Sequence, residues 1–333
     1  MTQVSDGGRF EPGTAAVGVV GLGAMGAGIA SSILRGGFET IVADLRAEAV
    51  AKTVAEGAAA ATDLADLAAR CDAIVVMVLD DTQVLGVTEQ IAAAGGRVRA
   101  VIVSSTVTPQ TAQAAAARLE QAGIAMIDAP VSGGAEKSAL GTLTLLIGGP
   151  DDVVARCAPI IDAMSANVFH VGPVGAGSAG KLVNNLMALG QYALQVEAMQ
   201  LADAYGIAEE TAVAFVSVSA GDSAGIRTWG RYDRLRRTHT IAGTPELYTM
   251  LGKDLRGAAL AAGRVGVTLP VTAIVGELIA GKLQARDAML DARGGLGPEL
   301  LCPACGQELA APFREAGYHP QCGLAAKLAE HGL

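Results

Sequence analysis

The sequence predicts an α/β chain in which a doubly wound parallel sheet precedes an all-α domain built on one long helix. Three observations predict it. Short apolar β runs alternate with helical stretches from Val17 to about Val171. That alternation stops after Gly180. A glycine-rich turn separates the first β run from the first helical stretch.

The β runs are VGVV (17–20), FETIVA (38–43), AIVVMVL (73–79), AVIVSS (100–105), IAMIDA (124–129), TLTLLIG (142–148) and NVFHV (167–171). Helical stretches lie between most of them, and βα units of this size make a parallel sheet covered on both faces. Thr108 before Pro109 gives one helix an N-cap and a proline at its first position. Beyond Gly180 the pattern is helical, with a long helix from about 178 to 205 and further helices near 209–219, 246–262 and 270–286. The predicted organisation is a flexible arm (1–15), a nucleotide-binding domain (16–177), an all-α substrate and oligomerisation domain (178–293), and a linker with a Cys/His tail (294–333).

Composition excludes several classes. The 333 residues are 51% hydrophobic and 17% charged, which describes a globular chain. A net charge of −9 argues against nucleic acid or an anionic membrane as partner. The first residues lack a basic segment followed by an apolar run, so no secretory signal is expected. The most apolar segment, Lys181 to Ala204, carries Asn184, Asn185, Gln191, Gln195, Glu197 and Asp203, and reads as a buried helix of a soluble protein. Five cysteines, three of them in the tail, point to a reducing cytoplasm and not to a disulfide framework.

The first β run leads into GLGAMG, where Gly21, Gly23 and Gly26 match G-x-G-x-x-G and open a helix. Asp44 ends the second run eighteen residues after Gly26. Glycines let the backbone approach a pyrophosphate, the helix start attracts its charge, and the carboxylate accepts from ribose hydroxyls. This is a dinucleotide-binding, Rossmann-type pattern. Asp44 favours NAD, since a carboxylate repels a 2′-phosphate. Arg46, two residues on, keeps NADP as the alternative.

Two further stretches carry candidate chemistry. DAPVSGG (128–134) sets the Ser132 hydroxyl beside Gly133 and Gly134, a natural anion cradle or an ordinary Gly-rich turn. In GAGSAGKLVNN (175–185), Lys181 and Asn185 are spaced i, i+4 and share a helix face. A lysine near a helix start is disfavoured by the dipole, which should lower its pKa and suit proton transfer. GKDL (252–255) adds Lys253 beside Asp254, a pair otherwise read as an exposed ion pair.

Together GLGAMG, SSTVTP (104–109), DAPVSGG, GAGSAGKLVNN and GKDL resemble the β-hydroxyacid dehydrogenase family, which includes 3-hydroxyisobutyrate and tartronate semialdehyde dehydrogenases, over about residues 16–290. The resemblance implies hydride transfer between a nicotinamide cofactor and a small 3-hydroxy acid, giving a semialdehyde or 3-oxo acid. It implies that Gly21, Gly23, Ala24, Met25 and Gly26 hold the pyrophosphate and Asp44 the adenosine ribose. Leu79 and Thr106 line the nicotinamide side. Ser132, Gly133 and Gly134 bind the substrate carboxylate. Lys181 is the general acid/base, Asn185 orients it and the substrate, and Lys253 contacts cofactor or substrate. By the same analogy the chain forms a homodimer or homotetramer. An imine reductase-like enzyme and a non-enzymatic partner-binding protein on this fold are the alternatives; Lys181 and the SGG turn speak against the first.

Two segments depart from the family. IRTWGRYDRLRRTH (226–239) gathers Arg227, Arg231, Arg234, Arg236, Arg237 and Trp229, read as a solvated or subunit-facing basic face, with a second substrate anion as the sharper option. In the tail, Cys302, Cys305, His319 and Cys322 form C-x₂-C-x₁₃-H-x₂-C, a closed Cys₃His set that predicts a structural zinc. A redox pair, a surface histidine and unligated cysteines compete with it.

Overall fold

The computed structural model describes residues 8–238 and 247–293. The Cys/His tail, and with it the predicted zinc ligands, lies outside the described residues. The chain divides into two compact units between Val183 and Asn184.

The first unit is a nine-stranded sheet with strand order β3-β2-β1-β4-β5-β6-β8-β7 and β9 beside β8. Its strands are β1 Ala16–Val20, β2 Glu39–Ala43, β3 Ala59–Ala60, β4 Ala73–Val76, β5 Ala100–Val103, β6 Ala125–Asp128, β7 Val131–Ser132, β8 Leu143–Gly148 and β9 Ser165–Gly172. The helices between them are α1 Gly26–Arg35, α2 Ala47–Ala55, α3 Leu64–Arg70, α4 Asp81–Ala94, α5 Pro109–Gln121, α6 Gly134–Leu140 and α7 Asp151–Met164.

Strand side chains alternate between two cores, as a pleated strand dictates. Val17, Val19, Ala73, Val75, Ala100 and Ile102 join one cluster with Ile29 and Ile33 of α1 and Ile160 and Met164 of α7. Ile74, Val76, Val101 and Val103 join the other with Leu67 of α3, Val84 and Ile91 of α4 and Leu119 of α5. Burying each such Val or Ile contributes about 1.5–3 kcal/mol. Both faces are therefore covered, and β1, β2, β4, β5 and β6 are parallel.

The expected all-parallel sheet is corrected at one end, where β8 runs antiparallel to β6 and β7. The segment from Gly133 to Thr142 holds one short helix, less than the dozen or so residues a parallel crossover needs. The flexible arm is also corrected from Phe10 onward. Its ring is fully buried in the core, its amide donates to Arg156 O at 3.0 Å, and the Arg99 guanidinium lies 5.0 Å from the ring centre.

The second unit takes up α8 Ala176–Ala204 from Asn184 onward, with α9 Glu209–Val216, α10 Ala224–Arg227, α11 Arg231–Thr238, α12 Leu247–Arg264 and α13 Pro270–Ala292. Its core packs Leu189, Tyr192, Val196, Val213, Trp229, Leu255, Ile279 and Leu283. A buried charged network crosses it. Arg286 donates to Asp233 and Glu209, Tyr192 OH donates to Asp233, Trp229 Nε1 donates to Glu209 at 2.6 Å, and the guanidinium lies 4.6 Å from the Trp229 ring centre. The arginine-rich stretch is thus partly internal: Trp229 and Asp233 are buried, and Arg227 pairs with Asp222 at 3.0 Å. Among the described residues, no helix is long and apolar enough to cross a membrane.

Candidate active site

The glycine loop has the shape its sequence demands. Gly21 takes φ +90°, a conformation that disfavours any side chain, and a Cβ there would lie 2.3 Å from Met77 O. A Cβ at Gly26 would lie 1.8 Å from Gly21 O, so this glycine lets α1 start hard against the turn. A Cβ at Gly23 would meet nothing within 4 Å, which leaves open space over the loop. Met25 precedes α1 without capping it, and no acidic residue sits in the first turn. Such a helix start accepts a phosphate anion. These residues fit a dinucleotide pyrophosphate.

Asp44 follows β2, and its carboxylate is already engaged. Leu22 N donates to Oδ2 at 2.6 Å, and Arg46 N and Nε donate to Oδ1 at 2.8 and 3.1 Å. Arg46 Nη2 reaches Oδ2 at 3.3 Å and Leu22 O at 3.0 Å. Burial works against the charge of Asp44. The Arg46 hydrogen bond, the Leu22 and Arg46 amides and the Arg46 charge outweigh it, and hold the carboxyl below the usual carboxylate range.

Leu79 and Thr106 lie in the loops that follow β4 and β5, neighbouring parallel strands. The strand order reverses between β1 and β4, so the loops after β1, β2, β4 and β5 open at one carboxyl edge. Ligands of open α/β sheets bind at such a switch point.

The DAPVSGG turn closes the same region. Ser132 ends β7, half-buried and paired with Thr144. Gly133 and Gly134 follow with φ +143° and +82°. The turn is tied to the glycine loop through α6: Ser138, fully buried, donates from Oγ to Met25 O at 2.5 Å, and Arg35 donates to Ala139 O. A Cβ at Gly28 would lie 2.6 Å from Ser138 Oγ, so that contact needs glycine.

Asp128, the last residue of β6, docks the start of α8. It is fully buried, and its carboxylate accepts from Gly175 N at 2.7 Å and Ser178 N at 2.6 Å. Burial pushes its carboxyl above the usual range, against the pull of those two amides. Lys181, half-buried, stands three residues beyond Ser178 on this anchored helix. Neither Asp128 nor Ser138 is singled out by sequence reasoning, because their partners are remote backbone atoms.

In the second unit, Asn185 donates from Nδ2 to Asp254 Oδ2 at 2.7 Å, and Lys253 Nζ lies 3.5 Å from Asp254 Oδ1. Asp254 thus joins two predicted site residues, and the Lys253–Asp254 pair is mostly buried rather than exposed, at 32% and 17%. Cys71 and Cys157 are buried with thiols pushed up to about 12 by burial, so neither is a nucleophile near neutral pH.

A glycine loop that fits a dinucleotide pyrophosphate, at the switch point of a parallel sheet, defines a nucleotide-binding protein of the Rossmann type. The comparisons place it further. The model described as the NAD binding domain of 6-phosphogluconate dehydrogenase matches residues 16–172. The one described as NAD-binding of NADP-dependent 3-hydroxyisobutyrate dehydrogenase matches residues 175–294. The chain is 38% identical over 232 residues to the L-threonate dehydrogenase of Escherichia coli O6:H1, covering 68% of this chain and 74% of that one. It is 32% identical over 273 residues to the 2-(hydroxymethyl)glutarate dehydrogenase of Eubacterium barkeri, covering 80% and 88%. A crystal structure of 3-hydroxyisobutyrate dehydrogenase from Salmonella typhimurium superposes with TM-score 0.69 at 32% identity, covering 91% of this chain and 99% of that one. The chain belongs to the β-hydroxyacid dehydrogenase family and is an NAD(P)-dependent oxidoreductase acting on the hydroxyl of a small hydroxy acid.

Proposed function

We propose that Lys181 is the general acid/base of this dehydrogenase, exchanging a proton with the reacting oxygen of a small 3-hydroxy acid. The observation that carries the reading is the anchoring of the α8 start by buried Asp128, one turn before Lys181. A proton donor held to a rigid frame loses little freedom on reaching the transition state. In this reading Ser132 and the backbone amides of Gly133 and Gly134 take the substrate carboxylate, Asn185 orients substrate and Lys181, and Lys253 contacts substrate or cofactor. When bound, the nicotinamide supplies the hydride acceptor or donor. Gly21, Gly23, Ala24, Met25 and Gly26 hold the pyrophosphate, Asp44 the ribose, and Leu79 and Thr106 the nicotinamide side.

NAD is the proposed cofactor. A carboxylate offers about four acceptor positions, and those of Asp44 are taken by Leu22 and Arg46. Ribose hydroxyls reach Asp44 only when the Arg46 side chain leaves, and a 2′-phosphate would pair with that same arginine. Arg46→Ala therefore tightens NAD and weakens NADP. Equal effects on both would refute this.

The deciding experiment is an NADH absorbance assay of purified protein against L-threonate, 3-hydroxyisobutyrate, 2-(hydroxymethyl)glutarate, both glycerates, both serines and 3-hydroxypropionate, with NAD and with NADP. Turnover of one or two members, abolished in Lys181→Ala while NADH still binds, is the expected result. Lys181→Ala with wild-type turnover would end the proposal. Relatives named for L-threonate and for a hydroxymethyl dicarboxylate support including both. The imine reductase alternative has no residue in its favour that the dehydrogenase reading leaves unexplained. We further propose a cytoplasmic homodimer or homotetramer, and a zinc held by Cys302, Cys305, His319 and Cys322, supported by ligand spacing alone. Metal analysis of the purified chain and of Cys302→Ser tests the last.

A further inference from the structure

The loops that follow β4 and β5 are locked to each other. Val78 N donates to Ser105 Oγ at 2.8 Å. One carboxylate oxygen, Asp81 Oδ1, accepts from Thr108 N at 3.0 Å, Thr108 Oγ1 at 2.9 Å and Thr111 Oγ1 at 2.6 Å. Asp81 is the first residue of α4, and Thr108 is the N-cap of α5, so the start of one helix holds the start of the other. Hydrogen bonds to an ionised acceptor are about twice as strong as neutral ones, and a negative charge at a helix start is favourable. Behind Leu79, its amide donates to Gln83 Oε1 at 3.0 Å, and Gln83 N donates to Asp80 at 2.9 Å.

The strands need none of this. β4 and β5 are paired through Val76 and Val103, and Ser104 N donates to Val76 O at 2.9 Å. The latch governs only the residues beyond that last rung, and these include Leu79, two positions before Asp81, and Thr106, two positions before Thr108.

We propose that Asp81 is a positioning residue for the nicotinamide half of the cofactor site, fixing the separation of the Leu79 and Thr106 loops. This rests on the reading that those loops face the nicotinamide. Asp81 itself touches no reacting atom in this proposal.

The test compares NADH with ADP-ribose, which carries the adenine half and pyrophosphate but no nicotinamide, by calorimetric titration of the full chain. Asp81→Ala should weaken NADH about tenfold or more, the effect of losing charge-assisted hydrogen bonds, and leave ADP-ribose within about twofold. The kcat should fall, and Asp81→Asn should recover part of both losses. Thr111→Val keeps the carboxylate and removes one bond; it should weaken NADH about threefold and stands in if Asp81→Ala does not fold. Equal weakening of both ligands, or no change in NADH, overturns the latch while leaving the cofactor reading intact. A wild-type chain that binds neither ligand overturns both.

Discussion

Removing the Asp128 carboxylate is the sharpest perturbation of the first unit. Asp128→Ala leaves Gly175 N and Ser178 N without their acceptor in a site that water does not reach, since Asp128 is fully buried. A buried donor left unsatisfied costs about 1–3 kcal/mol, so two cost about 2–6 kcal/mol. Relief of the desolvated charge offsets part of that, consistent with a carboxyl pushed upward by burial. A net loss of about 3 kcal/mol corresponds to roughly 6–12 °C in Tm for a unit of this size. The chain offers a convenient readout: Trp229 and all five tyrosines lie beyond Val183, so fluorescence follows the second unit while circular dichroism follows both. The circular dichroism transition should shift down by that amount and gain a separate early phase, with fluorescence lagging behind. Asp128→Asn keeps one acceptor and turns a donor toward the second amide, so it should recover no more than about half the loss. An Asp128→Ala chain melting within about 2 °C of wild type would refute the anchoring argument.

Other substitutions test other joints. Gly28→Ala sets a Cβ 2.6 Å from Ser138 Oγ and 2.7 Å from Ala139 N, so α6 must retreat. The expected cost is about 1–3 kcal/mol in urea unfolding together with weaker substrate binding, and an unchanged midpoint would contradict it. Arg286→Met strips the buried cation from Asp233 and Glu209 and should destabilise the second unit by about 3–5 kcal/mol, read from Trp229 fluorescence in denaturant. Asp72 accepts from Ala16 N at 3.0 Å and pairs with Arg97 and Arg99. Burial raises its carboxyl, yet those partners hold it below the ordinary value. A depressed carboxyl contributes stability above its unfolded pKa of about 3.9 and loses it as pH falls through the folded value. The stability gap between wild type and Asp72→Asn should therefore be full near neutrality and close below about pH 3.9; a gap that stays constant into acid would exclude the linkage.

The repetitive parts of this fold are the legible parts. All seven β runs read from the sequence are strands; the central ones pack alternating Val, Ile and Ala between two helical layers, whereas NVFHV forms β9, an exposed strand held by its pairing with β8. The Thr108-Pro109 helix start is also as expected, with Thr108 Oγ1 accepting from Thr111 N. Two-residue strands β3 and β7 were beyond reach, since a pair such as Ala59–Ala60 has no period to detect. The antiparallel β8 depends on what pairs with what, not on its own residues. Phe10 illustrates a different failure. One aromatic in a polar arm carries no pattern, yet the ring fills the core beneath Arg99.

What stays hidden in the first unit, at the candidate site and away from it, follows one pattern. Four carboxylates, Asp44, Asp72, Asp81 and Asp128, each accept from a backbone amide far along the chain, at separations of 22, 56, 27 and 47 residues. Asp44 and Asp128 sit at or just beyond the ends of β2 and β6, Asp72 just before β4 and Asp81 at the start of α4, where the sheet does not supply acceptors and a neighbouring strand, loop or helix start has amides to satisfy. In a sequence such an Asp is indistinguishable from one that greets a ligand: Asp44 reads as a ribose acceptor, and in the structure its oxygens hold Leu22 and Arg46. The two roles need not conflict. A carboxylate held ionised by protein donors keeps its charge, and displacement of a half-exposed Arg46 side chain exchanges one set of donors for another. Asp81 and Asp128 hold backbone and give the loops and α8 their fixed geometry, whereas the Asp44 carboxylate also holds a side chain, Arg46, that can move.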